Sequence, residues 1–327
     1  MEYFENISFV LIARNECFGV EKCLTSLSLL PLRHCEIICV DSGSTDETMD
    51  VMLRFSGVIP NLRIFTIKGY SNAAVARNVG IKFASCDFIF FVDGDVEINP
   101  SFISIGINRL CSDVGAITGR LCEIQYTRDF SKTLKIISDR FYIKSERLIY
   151  ASGGCFITTK SVVKYVGLFD ERLEKSQDYD YTLRITRHFF MLAIPISMGI
   201  HHTVGYEDRF RFFTQIKKLH ALYFGAVLRR NILNFRGIFW LLMSKERGIA
   251  LGGVLWVMGF VGISFFGEVG FFALCTLIAT DLFVGYFKGN DLLYRLYLHY
   301  FFPILTFIGF MHIPDRRSEY SVEEIDI

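Results

Sequence analysis

Four short apolar runs, ISFVLI (7–12), EIICV (36–40), LRIFTI (62–67) and FIFFV (88–92), alternate with helix-like segments over the first hundred residues. No other feature restricts the possible folds as much. Val20, Cys23, Leu24, Leu27 and Leu30 recur at helical spacing after the first run, and NAAVARNVGIKFA (72–84) is helical by propensity. Ser44 and Glu47 have capping-box spacing, so a helix is expected to open there. Strands separated by helices pair in parallel through right-handed crossovers, with both sheet faces covered. The expected class is α/β, a mostly parallel sheet flanked by helices, whose ligands bind beyond the carboxyl ends of the strands.

Acidic residues stand at those ends. Asp41 follows the second strand, and Asp93-Gly94-Asp95 closes the fourth. Two carboxylates one residue apart at the end of a buried strand need a positive charge, and a divalent cation, Mg²⁺ or Mn²⁺, suits hard oxygen ligands. Such ions take the rest of their shell from phosphate oxygens and water. Gly94 keeps the turn tight. Asp41 opens the small-residue turn DSGSTDET, which lacks the Lys-Ser/Thr ending of a P-loop. Asp41 either accepts N–H groups of a nucleobase or caps a helix.

Residues 113–200 read as mixed. GAITGR suggests a further strand, and ASGGCFITTKSVVKYVGLFDERL (151–173) suggests a strand, a helix and a turn. SQDYDYTLRITRHF (176–189) places Asp178 near a helix N-terminus, where the dipole favours an ionised carboxylate by ~0.3–1 kcal/mol. Asp180 and Arg184 form a helix-surface pair, or Asp180 helps to position Asp178. Gly153 and Gly154 either admit an acceptor or mark a bulge. Asp170 either caps a helix or meets the acceptor. His201 and His202 follow the apolar run LAIPISMGI. One of them adds a metal ligand or touches a diphosphate, or is simply satisfied in a loop. His202 is the metal candidate of the pair.

With 327 residues the chain is long enough for two packed regions. The net charge of +1 argues against a nucleic-acid partner. The nine cysteines include no CxxC pair, and Cys23, Cys35, Cys39 and Cys86 sit in apolar runs, as reduced buried thiols do. The start, MEYFENISFV, lacks the basic flank and long apolar core of a signal peptide.

Apolar content, 51% of all residues, concentrates after residue 248. In 209–248, Phe212, Ile216, Leu219, Tyr223 and Ala226 mark one helical face, with Lys217, Lys218, Arg229, Arg230, Arg236, Lys245 and Arg247 around it. This suits a segment resting on anionic lipid or a solvated surface helix. Residues 249–267 and 269–287 each approach the ~20 residues of a membrane span, with Glu268 between them. Asp281 fits a span poorly. A third stretch, 292–313, carries Arg295 and His299 and either spans or lies in the interface. The expected organisation is a catalytic domain (1–208), basic amphipathic interfacial helices (209–248), membrane helices (249–313) and a polar tail (314–327). The catalytic domain is expected on the cytoplasmic face of a membrane, with lipid as a partner.

LIARNE, VDSGSTDET, ARNVGIKFA, FFVDGDVEI, GLFDERL and QDYDYTLR occur in an order and spacing, over roughly residues 7–205, that resembles the family 2 glycosyltransferases of GT-A fold. The resemblance implies a nucleotide-sugar donor. It implies that Ala13 and Glu16 border the nucleotide pocket, that Asp41 meets the base and that Arg77 lies near the diphosphate. Asp93 would touch ribose or metal, Asp95 the metal, and Asp178 would be the catalytic base. The family's acidic residue before that base is Gln177 here. A single in-line displacement with one base inverts the anomeric centre. The expected reaction is therefore metal-dependent, inverting transfer to a hydroxyl of a saccharide or lipid-linked acceptor. The alternatives are a membrane-anchored nucleotide-sugar-binding scaffold without turnover and a nucleotidyltransferase. The latter should carry a glycine-rich triphosphate loop, for which ARNECFGVEK is too poor in glycine.

Overall fold

In the computed structural model, which describes residues 4–205, 220–244, 247–287, 297–312 and 319–326, all four apolar runs are strands. The strands are β1 (Phe4–Glu5), β2 (Ile7–Ala13), β3 (Leu32–Arg33), β4 (Glu36–Asp41), β5 (Leu62–Gly69), β6 (Phe88–Asp93), β7 (Val96–Ile98), β8 (Val114–Tyr126), β9 (Thr133–Ile137), β10 (Arg147–Ile149), β11 (Phe156–Thr159), β12 (Phe190–Val204) and β13 (Tyr320–Ile325). Helices α1 (Cys17–Ser28), α2 (Thr48–Arg54), α3 (Ala73–Phe83), α4 (Pro100–Ile107), α5 (Lys160–Val166) and α6 (Gln177–Thr186) lie between them.

Eleven strands form one sheet in the order β10-β12-β8-β11-β6-β2-β4-β5-β13, with β7 beside β12 and β9 beside β8. The expectation of a mostly parallel sheet is corrected: β6, β2, β4 and β5 are parallel, as are β8 and β12, but β11, β10, β7, β9 and β13 all join antiparallel. The physical reason is connectivity. Successive strands joined by a helix, β2, β4, β5 and β6, pair in parallel, and strands reached by other routes are free to reverse. Residues 320–325, part of the expected polar tail, add a strand to the edge of β5.

The central strands are buried on both faces; all seven residues of β2 are buried. Gly80 of α3 lies against Val10, where a Cβ would come 2.1 Å from a Val10 methyl. Asn72 caps α3 by accepting from Val75 N–H at 2.9 Å. The helix expected at Ser44 opens instead at Thr48, because Asp41 and Asn15 take the intervening N–H groups of Gly43, Ser44 and Thr45. Cys23, Cys35, Cys39 and Cys86 are buried free thiols.

The chain divides into two compact units, Met1–Asp208 with Asp315–Ile327, and Arg209–Pro314. The second contains α7 (His220–Arg230), α8 (Phe235–Ser244), α9 (Arg247–Phe287), a π-helical turn (Tyr297–Phe301) and α10 (Phe302–Met311). Gly225 and Gly309 let α7 and α10 touch backbone to backbone. Tyr223 and Ala226 are buried as the apolar stripe required, while Phe212, Ile216 and Leu219 lie outside the described residues.

The expected membrane helices are corrected. Among the described residues no helix is long and apolar enough to cross a membrane. The chain departs from helical geometry inside α9 at Gly267 (φ 54°, ψ −126°), next to Glu268. The ten residues of α10 reach ~15 Å, half of the ~30 Å hydrocarbon layer. The predicted placement on the cytoplasmic face of a membrane rested on those spans and falls with them.

Candidate active site

The parallel pairing brings the strand ends to one rim. Ala13 pairs with Asp41, and Ile12 with Asp93. Gly94 N–H donates to the Ile12 carbonyl at 2.9 Å, which folds the Asp93-Gly94-Asp95 turn back over β2. Helix α1 packs directly on this turn, since a Cβ on Gly19 would meet Asp95 Cα at 2.7 Å. A bulkier residue at position 19 would displace the acids.

Asp41 is 2% exposed and accepts from Gly43 and Ser44 N–H at 3.0 Å each. It shapes the 42–47 loop rather than capping a helix. Glu16 precedes α1, and its carboxyl lies 3.0 Å from where a Gly94 Cβ would be. Burial, then the negative charges of Asp95 and Asp93, push the Glu16 carboxyl well above the usual carboxylate range.

Asp93 Oδ1 accepts from Arg77 Nη2 of α3 at 2.6 Å. The Arg77 side chain is buried, its guanidinium lies over the Phe169 ring, and among the described residues its Nε meets no acceptor. Gly154 passes so close that a Cβ would come 2.1 Å from Arg77 Nη2 and 2.7 Å from Asp93 Oδ2. The neighbouring Gly153 faces Asp178, whose Oδ2 would lie 3.8 Å from a Cβ there. Two consecutive glycines therefore border the two carboxylates.

Asp178 stands in the first turn of α6 and accepts from Tyr179 N–H at 2.9 Å. Ser176, with left-handed backbone (φ 59°), delivers the chain into that turn. Burial raises the Asp178 carboxyl above its ordinary value, and the Arg77 charge opposes the rise. Asp170 is held by Arg172 through contacts of 3.0 and 2.9 Å. Asp180 is fully buried on Arg184 at 2.9 Å, and Arg184 also donates to the Val166 and Leu168 carbonyls.

The two histidines part ways. His201 Nε2 is 3.0 Å from Asp95 Oδ2, and Nδ1 is 3.1 Å from Glu123 Oε2. Burial would lower its basicity, but hydrogen bonds to Asp95 and Glu123 outweigh it and raise the pKa to about 9. His202, alternating to the other sheet face, meets Tyr126 Oη at 3.0 Å and Glu97 Oε2 at 3.2 Å instead. Burial lowers its pKa. Glu123 and Arg140 were absent from the sequence reading. The available signal was Glu123 and Gln125 at positions of β8 that alternate inward with Leu121.

Among the described residues no group of three or more His, Cys, Asp and Glu side chains is arranged to hold a metal ion. Mg²⁺-type ions normally use one or two carboxylates plus phosphate and water, so the hard Asp95 oxygen beside His201 Nε2 is a donor set of fitting size and chemistry.

Residues 8–168 match the family described as Glycosyl transferase family 2. The chain is 25% identical over 218 residues to glycosyltransferase AglE of Haloferax volcanii, covering 65% of this chain and 70% of that one. The chain is a glycosyltransferase. Its reaction type is transfer of a sugar. The glycosyltransferase is also 31% identical over 117 residues to poly-beta-1,6-N-acetyl-D-glucosamine synthase of Staphylococcus epidermidis, of which it spans only 28%. Its fold is that of mannosyltransferase PcManGT from Pyrobaculum calidifontis, solved with GDP-Man and Mn²⁺ (TM-score 0.58, 15% identity, 94% of this chain and 88% of that one). It is shared as well with S. aureus TarS 1–349 in complex with UDP-GlcNAc (TM-score 0.54, 15% identity, 93% and 89%).

Proposed function

We propose that this glycosyltransferase moves a sugar from a nucleotide-sugar donor to a saccharide hydroxyl by single displacement, inverting the anomeric centre, with Asp178 as the base. One observation carries the reading: the consecutive Gly153 and Gly154 bring one stretch of backbone against both Asp178 and the Arg77–Asp93 pair, so that these groups border one site. A raised pKa suits a base that must take a proton from an attacking hydroxyl. Arg77, buried beside Asp93 with an Nε that meets no acceptor among the described residues, would receive diphosphate charge. Ala13, Glu16 and Asp41 border the nucleotide, with Asp41 holding the loop that receives the base.

Asp95, with His201 in the place expected for His202, would hold Mg²⁺ or Mn²⁺; Asp93 joins only by sharing its carboxylate with Arg77. Such an ion, when bound, supplies Lewis acidity toward the leaving diphosphate. The Mn²⁺ and GDP-Man of PcManGT support this choice. The S. epidermidis relative, by its name a polysaccharide synthase, supports a saccharide acceptor. Product NMR is expected to show inverted configuration; retained configuration would remove Asp178 from the role of sole base.

A further inference from the structure

A buried polar cluster stands behind Asp95. His201 on β12 lies between two strands, with Glu123 of β8 as its Cα partner on one side and Val96 of β7 on the other. Its imidazole spans the same gap, from Glu123 Oε2 at Nδ1 to Asp95 Oδ2 at Nε2. The Glu123 side chain is 1% exposed. A carboxylate at that depth needs several donors. Gln125 Nε2 donates to Oε1 at 2.7 Å, and Arg140 and His201 meet Oε2.

Both Glu123 oxygens are met by donors, the Gln125 amide and the Arg140 guanidinium, so the carboxylate accepts and the ring nitrogen facing it carries a hydrogen. Arg140 Nη1 also lies 3.3 Å from Nδ1, and a guanidinium only donates. An unprotonated Nδ1 would accept from Arg140 only by turning its lone pair toward Oε2. Stability alone does not explain the cluster. A buried ion pair at best breaks even against apolar packing, and Leu121 and Ile117 on the same strand show that apolar side chains are accommodated there.

Resting on the donor and metal reading above, we propose that Glu123, supported by Arg140 and Gln125, is a positioning residue that holds the Nδ1–H of His201. It thereby leaves Nε2 as the atom presented to the divalent cation beside Asp95. Glu123 itself touches neither cation nor donor.

The test is Mn²⁺ binding, followed by electron paramagnetic resonance, in the full chain with and without UDP or GDP. Glu123→Gln and His201→Ala are each expected to weaken Mn²⁺ binding roughly 10–100-fold, with the circular dichroism of the wild type retained. In ¹⁵N-histidine-labelled wild type with Mg²⁺, His201 is expected to show Nδ1 protonated and Nε2 bare, a signature that a purely structural Glu123 would not impose. Folded Glu123→Gln with wild-type Mn²⁺ affinity, or a protonated Nε2 in the Mg²⁺ state, overturns this inference alone. Wild type that binds no Mn²⁺ even with UDP or GDP overturns it together with the metal reading. Should Glu123→Gln fail to fold, the wild-type nitrogen spectrum decides.

Discussion

Arg77 and Asp93 pair at 2.6 Å in a space that a single methyl group on Gly154 would fill. The pair sits between the end of β6 and the first turns of α3, so one backbone position controls both a donor-side cation and an acid of the rim.

Gly154→Ala is therefore expected to force Arg77 and Asp93 apart. Overpacking of this kind costs ~1–3 kcal/mol. Urea unfolding should show that loss, and donor turnover should fall more steeply than stability does. Unchanged turnover would mean that the pair is not used.

Asp178→Asn is expected to lower turnover by roughly 10²–10⁴, the usual worth of a general base. Steady-state kinetics with saturating donor measures it. In the wild type, kcat should decline on the acid side at a pH above the ordinary carboxylate range, because burial raises the Asp178 carboxyl.

The same shift makes a stability prediction of definite sign. A carboxyl whose pKa is raised by folding costs nothing below its unfolded pKa, where both states are protonated, and its full cost above the folded value. Asp178→Asn should thus stabilise the protein at neutral pH, and the gain should vanish as pH falls into the ordinary carboxylate range. Thermal denaturation across pH reads both ends.

Removing Asp95 should abolish the effect of Mn²⁺ on nucleotide binding. A nucleoside diphosphate at 100 times its Kd adds ~2.7 kcal/mol to wild type. For Asp95→Ala the melting shift produced by UDP or GDP should be the same with Mn²⁺ as without it.

Strand β13 makes a separate prediction. Ser321 pairs with Lys68 within an edge ladder whose bonding alternates from the Tyr70 N–H to Glu319 carbonyl contact, and Glu324 meets Arg63 at 2.7 and 3.1 Å. Ser321→Pro removes a ladder donor and is expected to cost ~1–3 kcal/mol, with faster amide exchange in β5. The half-exposed Arg63–Glu324 pair is worth much less, ~0.2–1 kcal/mol in a double-mutant cycle.

Local chemistry determined a definite part of this protein. The strands ending at Asp41 and Asp93, the cap at Asn72 and the buried cysteines follow from hydrophobic period and hydrogen-bonding preference, which act over a few residues and are written in order along the chain. Only tertiary structure decided which partner each side chain meets. His201 rather than His202 faces Asp95 because strand alternation turns neighbours to opposite sides and the register of β12 sets which side is which. Glu123 reaches His201 across 78 residues, Tyr320 reaches Glu171 across 149, and β13 closes an edge that opened at Leu62. The apolar run after residue 248 had the composition of a membrane span, but composition carries no information about where a helix breaks; the backbone at Gly267 does. Contacts between distant segments depend on how the sheet is ordered, and neither period nor propensity encodes that order.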